Sequence, residues 1–186
     1  MKNKVVFLDR DGVINQYPGD SEYVTSWSEF HFLPGVKPAL KKLSDNAFKI
    51  FIISNQAGVS KGIYAQGELD LITKNMLKEL RDCDIDIAGV YYCTHLPEDN
   101  CPCRKPKTGL IDGAVREMRD NGLETELSDS YLIGDTIRDI ETGKSAGLKT
   151  ILVFSGKEKA ENKDNWKILP DFTARDLSGA VELILK

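Results

Sequence analysis

Two carboxylates stand two residues apart in Phe7-Leu8-Asp9-Arg10-Asp11-Gly12-Val13, directly after the apolar run Val5–Leu8. An Asp-Gly pair between apolar runs is the commonest hairpin signal, so one reading makes Val5–Leu8 and Val13–Ile14 paired strands. The other places Asp9 and Asp11 at a strand end, able to hold a cation or to serve as nucleophile and general acid/base. Three further polar stretches carry related chemistry: Ser54-Asn55-Gln56-Ala57-Gly58, Arg104-Lys105-Pro106-Lys107 and Gly134-Asp135-Thr136-Ile137-Arg138-Asp139. Singly, Asp135 and Asp139 are acids of the kind a helix N-terminus favours, and Asn55 is a turn residue. Converging on one place, the four stretches offer carboxylates for a divalent cation, donors for an oxyanion and fixed positive charge, which is the inventory of phosphoryl transfer.

A second cluster follows the spacing C-x-H-x5-C-x-C: Cys93, His95, Cys101 and Cys103. Three thiols and an imidazole are the ligand set of a closed tetrahedral Zn2+ site, which orders a loop and leaves no open position for substrate. The loop runs straight into Arg104-Lys105. With Cys83 alone elsewhere, the four cysteines make a poor disulfide framework and point to a reducing, cytoplasmic setting.

The elements that must position these residues alternate. Continuous apolar runs predict buried strands at Val5–Leu8, Lys49–Ile53, Ile87–Tyr92, Tyr131–Ile133 and Lys149–Val153. Helical spacing predicts helices over Val36–Asn46, around Leu69–Leu80, over Leu110–Asn121, Ile137–Ala146 and Leu177–Leu185, with Gly122 and Gly147 as stops. Lys157–Lys167 reads as a surface loop. The alternation predicts an α/β fold with a mostly parallel sheet, in which the first strand is followed by a crossover and Asp9 and Asp11 lie beyond its carboxyl end, where such sheets bind ligands. The hairpin then survives only as a small flap within residues 13–32. No large cap insertion is visible, and residues 1–186 read as a single domain. A net charge of −4 argues against a nucleic-acid partner, and no apolar run nears the roughly 18 residues of a membrane span. Lacking an evident coiled coil, the chain is expected to be a monomer.

The ordered pattern D-x-D-G-V, S-N, a lysine and G-D-x-x-x-D resembles the haloacid dehalogenase (HAD) superfamily over nearly the whole chain. The resemblance implies a Rossmann-like three-layer fold with sheet order 5-4-1-2-3. It implies Asp9 as a nucleophile forming an aspartyl-phosphate, Asp11 as general acid/base, and Mg2+ between Asp9, the Asp11 backbone carbonyl and Asp135. Ser54 and Asn55 would hold phosphoryl oxygens, Lys105 would neutralise their charge, and Asp139 would support the metal from behind. The Cys/His loop leading into Arg-Lys-Pro is similar to two related groups, the heptose-bisphosphate and the histidinol-phosphate phosphatases. Gly58–Tyr64, Gly89–Cys93 and the Trp27 to Gly35 stretch look more like the former. On that resemblance the partner is a small phosphosugar, Arg104 grips its sugar-bound phosphate, residues 16–24 shape the pocket, and the cofactors are Mg2+ and Zn2+. Thr136 stands where these phosphatases often carry a lysine. A non-catalytic, zinc-stabilised binding module is the reading from a different class.

Overall fold

The computed structural model describes residues 3–186. Strands β1 (Val5–Leu8), β2 (Lys49–Asn55), β3 (Gly89–Cys93), β4 (Tyr131–Gly134), β5 (Lys149–Val153) and β6 (Phe172–Ala174) form one sheet in the order β3-β2-β1-β4-β5-β6. Every neighbouring pair is parallel. Helices α1 (Val36–Asp45), α2 (Gln66–Arg81), α3 (Gly109–Asp120), α4 (Ile137–Ser145) and α5 (Leu177–Ile184) connect and cover the strands. Among the described residues no helix is long and apolar enough to cross a membrane.

Strand residues alternate between two cores, as the two-residue period of a pleated strand requires. Val6, Leu8, Ile50, Ile52 and Ile133 pack against Val36, Leu40, Ile72, Met76 and Leu177 of α1, α2 and α5. Val5, Phe7, Phe51, Ile53 and Leu132 pack against Leu110, Ile111, Ala114 and Met118 of α3. Burial on both faces explains why the strands read as continuous apolar runs. The expected order 5-4-1-2-3 is present, and β6 extends it by a strand that sequence reading misses. Phe172 and Thr173 are exposed and the strand has three residues, so it carries no buried apolar run. Residues 160–165, read as loop, form a short 3-10 helix.

Asp9-Arg10-Asp11-Gly12 turns the chain without making the first hairpin. The Arg10 carbonyl accepts the N–H groups of Ile14 and Asn15 at 2.8 and 3.1 Å, and β1 pairs with β2 and β4 instead of with Val13–Ile14. Gly12 adopts φ +80°, and a Cβ there would sit 2.3 Å from Asp135 Oδ2, so both the turn and the approach need glycine. A flap begins beyond it, closed at its base by an antiparallel bridge between Asn15 and Phe32.

Helix α4 approaches β4 and β5 closely because residue 143 has no side chain. A Cβ on Gly143 would lie 2.5 Å from Thr150 Cγ2 and 3.1 Å from Leu132 Cβ. Gly143→Ala sets a helix-propensity gain of about 1 kcal/mol against overpacking of about 1–3 kcal/mol. Crowding by a β-branched neighbour within a sheet should win. Urea denaturation is expected to show a loss of about 1 kcal/mol, and a stabilised variant would refute the close-packing account.

Candidate active site

The first and fourth strands are sheet neighbours although far apart in sequence, and the strand order reverses there. Leu8 pairs with Ile133, so the residues that follow, Asp9 and Gly134-Asp135, leave the sheet at one level. The Asp9 N–H donates to the Ile133 carbonyl at 3.0 Å. Asp139 reaches the same point from the first turn of α4. There Thr136 and Asp139 cap the helix reciprocally, the Thr136 N–H donating to Asp139 Oδ2 at 3.1 Å. One oxygen from each of Asp9, Asp135 and Asp139 falls within 4.8 Å of the others.

Lys105 enters this group from the opposite side of β1. Its Nζ lies 2.9 Å from Asp9 Oδ2 and 2.6 Å from Asp139 Oδ1, and it donates to the Ile53 carbonyl at 3.1 Å. The ammonium thus meets two carboxylates and one carbonyl, in a side chain that is 2% exposed. With all three carboxylates ionised, one ammonium leaves two negative charges uncompensated in a buried place. Burial pushes the Asp9 carboxyl above its usual range; Lys105 opposes the shift and Asp139 adds to it. Asp135 is pushed well above that range by burial and then by the charges of Asp9 and Asp139. Lys105 is raised despite its burial, because Asp139 and Asp9 hold its proton. A cluster of oxygen donors with surplus buried charge fits a hard divalent cation such as Mg2+.

Asp11 faces the same pocket but its carboxylate stands outside the cluster. It accepts from Arg10 Nε at 3.1 Å and NH2 at 2.9 Å, from Asn15 Nδ2 at 2.8 Å and from Gln56 Nε2 at 2.9 Å. That arrangement fixes the orientation of the carboxylate. Ser54 lies beside Asp9 and lines the pocket. Asn55 is used differently: its Oδ1 accepts the Lys105 N–H and its Nδ2 donates to the Lys105 carbonyl, both at 3.1 Å. The side chain thus fixes Lys105 across a separation of 50 residues. Sequence reasoning missed Arg10, Gln56 and Asn15 as the holders of Asp11. Gln56 and Arg10 lay in polar stretches already singled out and Asn15 just beyond one of them, but nothing local marks Arg10 as a fully buried cation.

The flap forms one wall of the pocket through Tyr17, Glu22 and Tyr23. Lys157, after β5, ties it down. The Lys157 Nζ pairs with Asp20 Oδ1 at 2.6 Å while its backbone N–H donates to Asp135 Oδ2 at 2.8 Å.

Cys93, His95, Cys101 and Cys103 converge at the end of β3. Five of their donor-to-donor separations fall between 3.3 and 3.7 Å. A zinc–sulfur bond of ~2.3 Å gives tetrahedral edges of about 3.7 Å, so the donor set suits a tetrahedral soft-ligand metal. Arg104 NH1 donates to the His95 carbonyl at 3.1 Å and Lys107 Nζ to the Cys101 carbonyl at 2.9 Å, so the cluster and the Lys105 segment form one unit.

Residues 102–180 match the family model of HAD-hydrolase-like proteins. The chain is 36% identical to a D-glycero-β-D-manno-heptose-1,7-bisphosphate 7-phosphatase of Haemophilus ducreyi, over 84% of this chain and 86% of that one. It is 35% identical to the corresponding phosphatase of Chlorobaculum tepidum, over 96% and 92%. A crystal structure of D,D-heptose 1,7-bisphosphate phosphatase from B. bronchiseptica, complexed with magnesium and phosphate, superposes with a TM-score of 0.86 at 29% identity, covering 98% of both chains. With this fold, the carboxylate cluster at its switch point and these relatives over most of its length, the chain belongs to the heptose-1,7-bisphosphate 7-phosphatase family of HAD-like hydrolases.

Proposed function

We propose that the chain hydrolyses the 7-phosphate of D-glycero-D-manno-heptose 1,7-bisphosphate through an aspartyl-phosphate on Asp9. The observation that carries this reading is the buried cluster of Asp9, Asp135 and Asp139 around Lys105, opening into a pocket that Arg104, Arg138 and Lys157 also line. Asp9 is the nucleophile. Its Oδ1 accepts the Arg10 N–H at 2.7 Å and its Oδ2 faces Lys105, which fixes the carboxylate for in-line attack. Mg2+, held by Asp9, Asp135 and the Asp11 carbonyl, would offset the surplus carboxylate charge and withdraw electrons from the phosphoryl oxygens. Ser54 steadies those oxygens, Lys105 offsets their charge from its place beside Asp9, and Asn55 serves by holding Lys105. Asp11 carries the proton, giving it to the leaving oxygen and taking one from the water that cleaves the intermediate. Its contacts with Asn15 and Gln56 fix the side chain toward the pocket for both steps.

We assign Zn2+ to the Cys93, His95, Cys101 and Cys103 cluster, with the role of holding Arg104 and Lys105 in place. All four ligands come from the protein, so the ion has no open position for substrate.

Inorganic phosphate release from both anomers of heptose 1,7-bisphosphate and from histidinol phosphate, with and without chelator, tests the substrate reading. Turnover of the bisphosphate that chelation abolishes and Mg2+ restores is expected. Preference for histidinol phosphate would reassign the substrate, and no turnover of any ester would sink the enzyme reading. Asp9→Asn should lower kcat at least about a thousandfold, since a carboxamide is a poor nucleophile. It should leave the melting temperature of the metal-free protein undiminished, because it removes one of the surplus buried charges. Retained activity would refute the covalent role. Cys101→Ser should reduce zinc, measured by emission spectrometry, from about one ion per chain toward none. Unchanged zinc content would remove Cys101 from the ligand set.

A further inference from the structure

Among the described residues the Asp11 carboxylate has one holder from outside its own turn. Arg10 and Asn15 belong to the turn that carries Asp11, so their hydrogen bonds move with it, whereas Gln56 reaches it from the end of β2. The Gln56 amide spans two residues of the site, its Nε2 donating to Asp11 Oδ2 at 2.9 Å and to Ser54 Oγ at 3.2 Å. Its backbone N–H donates to the Cys93 carbonyl at 2.7 Å, which ties the main chain here to the end of β3. Behind the amide stands Tyr64, whose hydroxyl donates to Gln56 Oε1 at 2.7 Å. Gln56 is 1% exposed and Tyr64 7%, so this bond is made away from bulk solvent. Neither side chain lines the pocket, and both can reach the reaction only through Asp11 and Ser54.

Packing accounts for the ring of Tyr64 but not for its hydroxyl. A Cβ on Gly58 would lie 2.2 Å from Tyr64 Cε1, so glycine there makes room for the ring, and Tyr23 of the flap packs against it with ring centres 6.2 Å apart. Phenylalanine would fill the same space. What the hydroxyl adds is direction to the amide. The NH2 end of an amide attracts a carboxylate and its oxygen repels one, while the two ends differ little in shape. A donor fixed on Oε1 therefore selects the orientation in which Nε2 faces Asp11.

We propose that Tyr64 is a positioning residue for Asp11: by holding the Gln56 amide in one orientation it aims the Asp11 carboxyl at the leaving oxygen. This rests on the phosphatase reading above. As Asp9 attacks phosphorus and the bond to the leaving oxygen breaks, the Asp11 proton passes to that oxygen. A misaimed donor slows the departure of a strongly basic oxygen most, whereas a nitrophenolate leaves readily as the anion.

Two measurements test it. In the first, kcat/KM is compared for phenyl phosphate and p-nitrophenyl phosphate, esters of similar shape whose leaving oxygens differ in basicity. The ratio of the two values does not depend on how much of the enzyme is folded. Tyr64→Phe should lower the ratio of phenyl to nitrophenyl ester about tenfold, a part of the roughly hundredfold or more that a general acid supplies. Gln56→Ala should lower it at least as far, and adding Tyr64→Phe to Gln56→Ala should lower it no further, because Tyr64 acts through that amide. An unchanged ratio, an equal fall on both esters, or additive effects of the two substitutions overturn the assignment. The second measurement needs no turnover: crystal structures of the wild type and of Tyr64→Phe are compared at Gln56 and Asp11. Loss of the Nε2 contact to Asp11 in the variant supports the positioning role, and an unchanged contact overturns it. Should the wild-type enzyme hydrolyse no ester while the Gln56 amide turns in the variant, the proposed function falls and the hold of Tyr64 on Asp11 stands.

Discussion

Surplus negative charge, buried at one point of the sheet, is the constraint around which the structure is arranged. Three carboxylates and one ammonium share a place that solvent barely reaches, and no rearrangement of those four groups neutralises it. Folding tolerates such an arrangement only when the surrounding chain holds each member firmly, since mutual repulsion and desolvation both push the cluster apart. The fixings are correspondingly dense: a backbone N–H on Asp9, another on Asp135, a helix cap on Asp139, and three acceptors on Lys105. The same surplus makes the site a trap for a hard cation, so the feature that costs stability is the one that recruits the metal.

The pieces outside the sheet have one purpose in common, which is to hold what the strands cannot. Strand ends deliver Asp9 and Asp135 directly, but Lys105 lies beyond β3 on a proline-rich stretch with no regular structure of its own. Asn55 from the end of β2 grips its main chain, while the Cys/His cluster ties down the residues just before it. A buried lysine on irregular chain is thereby given the fixity of one on a strand. The flap is held in a similar way, by Tyr17 and Lys157 meeting on Asp20.

The legible parts of this design were those with local causes. The buried strands announce themselves because both faces of each are covered, and β6 does not because its residues are largely exposed. The four polar stretches were visible as chemistry at strand ends, and the resemblance to the HAD superfamily implied the strand order that brings them together. Contacts across large separations were not visible. Asn55 reads as an oxyanion donor until the fold places the Lys105 main chain against it. Asp139 reads as a supporting residue, whereas the first turn of α4 brings its carboxylate into the donor cluster itself. Arg10 sits beside Asp11 in sequence, yet its burial depends on Tyr92 of β3, whose ring centre lies 5.8 Å from the guanidinium carbon. No spacing rule relates those two positions.

Lys157 divides its duties between backbone and side chain. Its N–H belongs to the metal-site carboxylate and its ammonium to the flap. Every residue but proline carries the same N–H, so the first duty is indifferent to which amino acid occupies the position. The second depends on it entirely. Single substitutions at 157 can therefore change the contact with the flap while leaving the bond to Asp135 untouched. Metal site and flap meet at one residue and can still change independently.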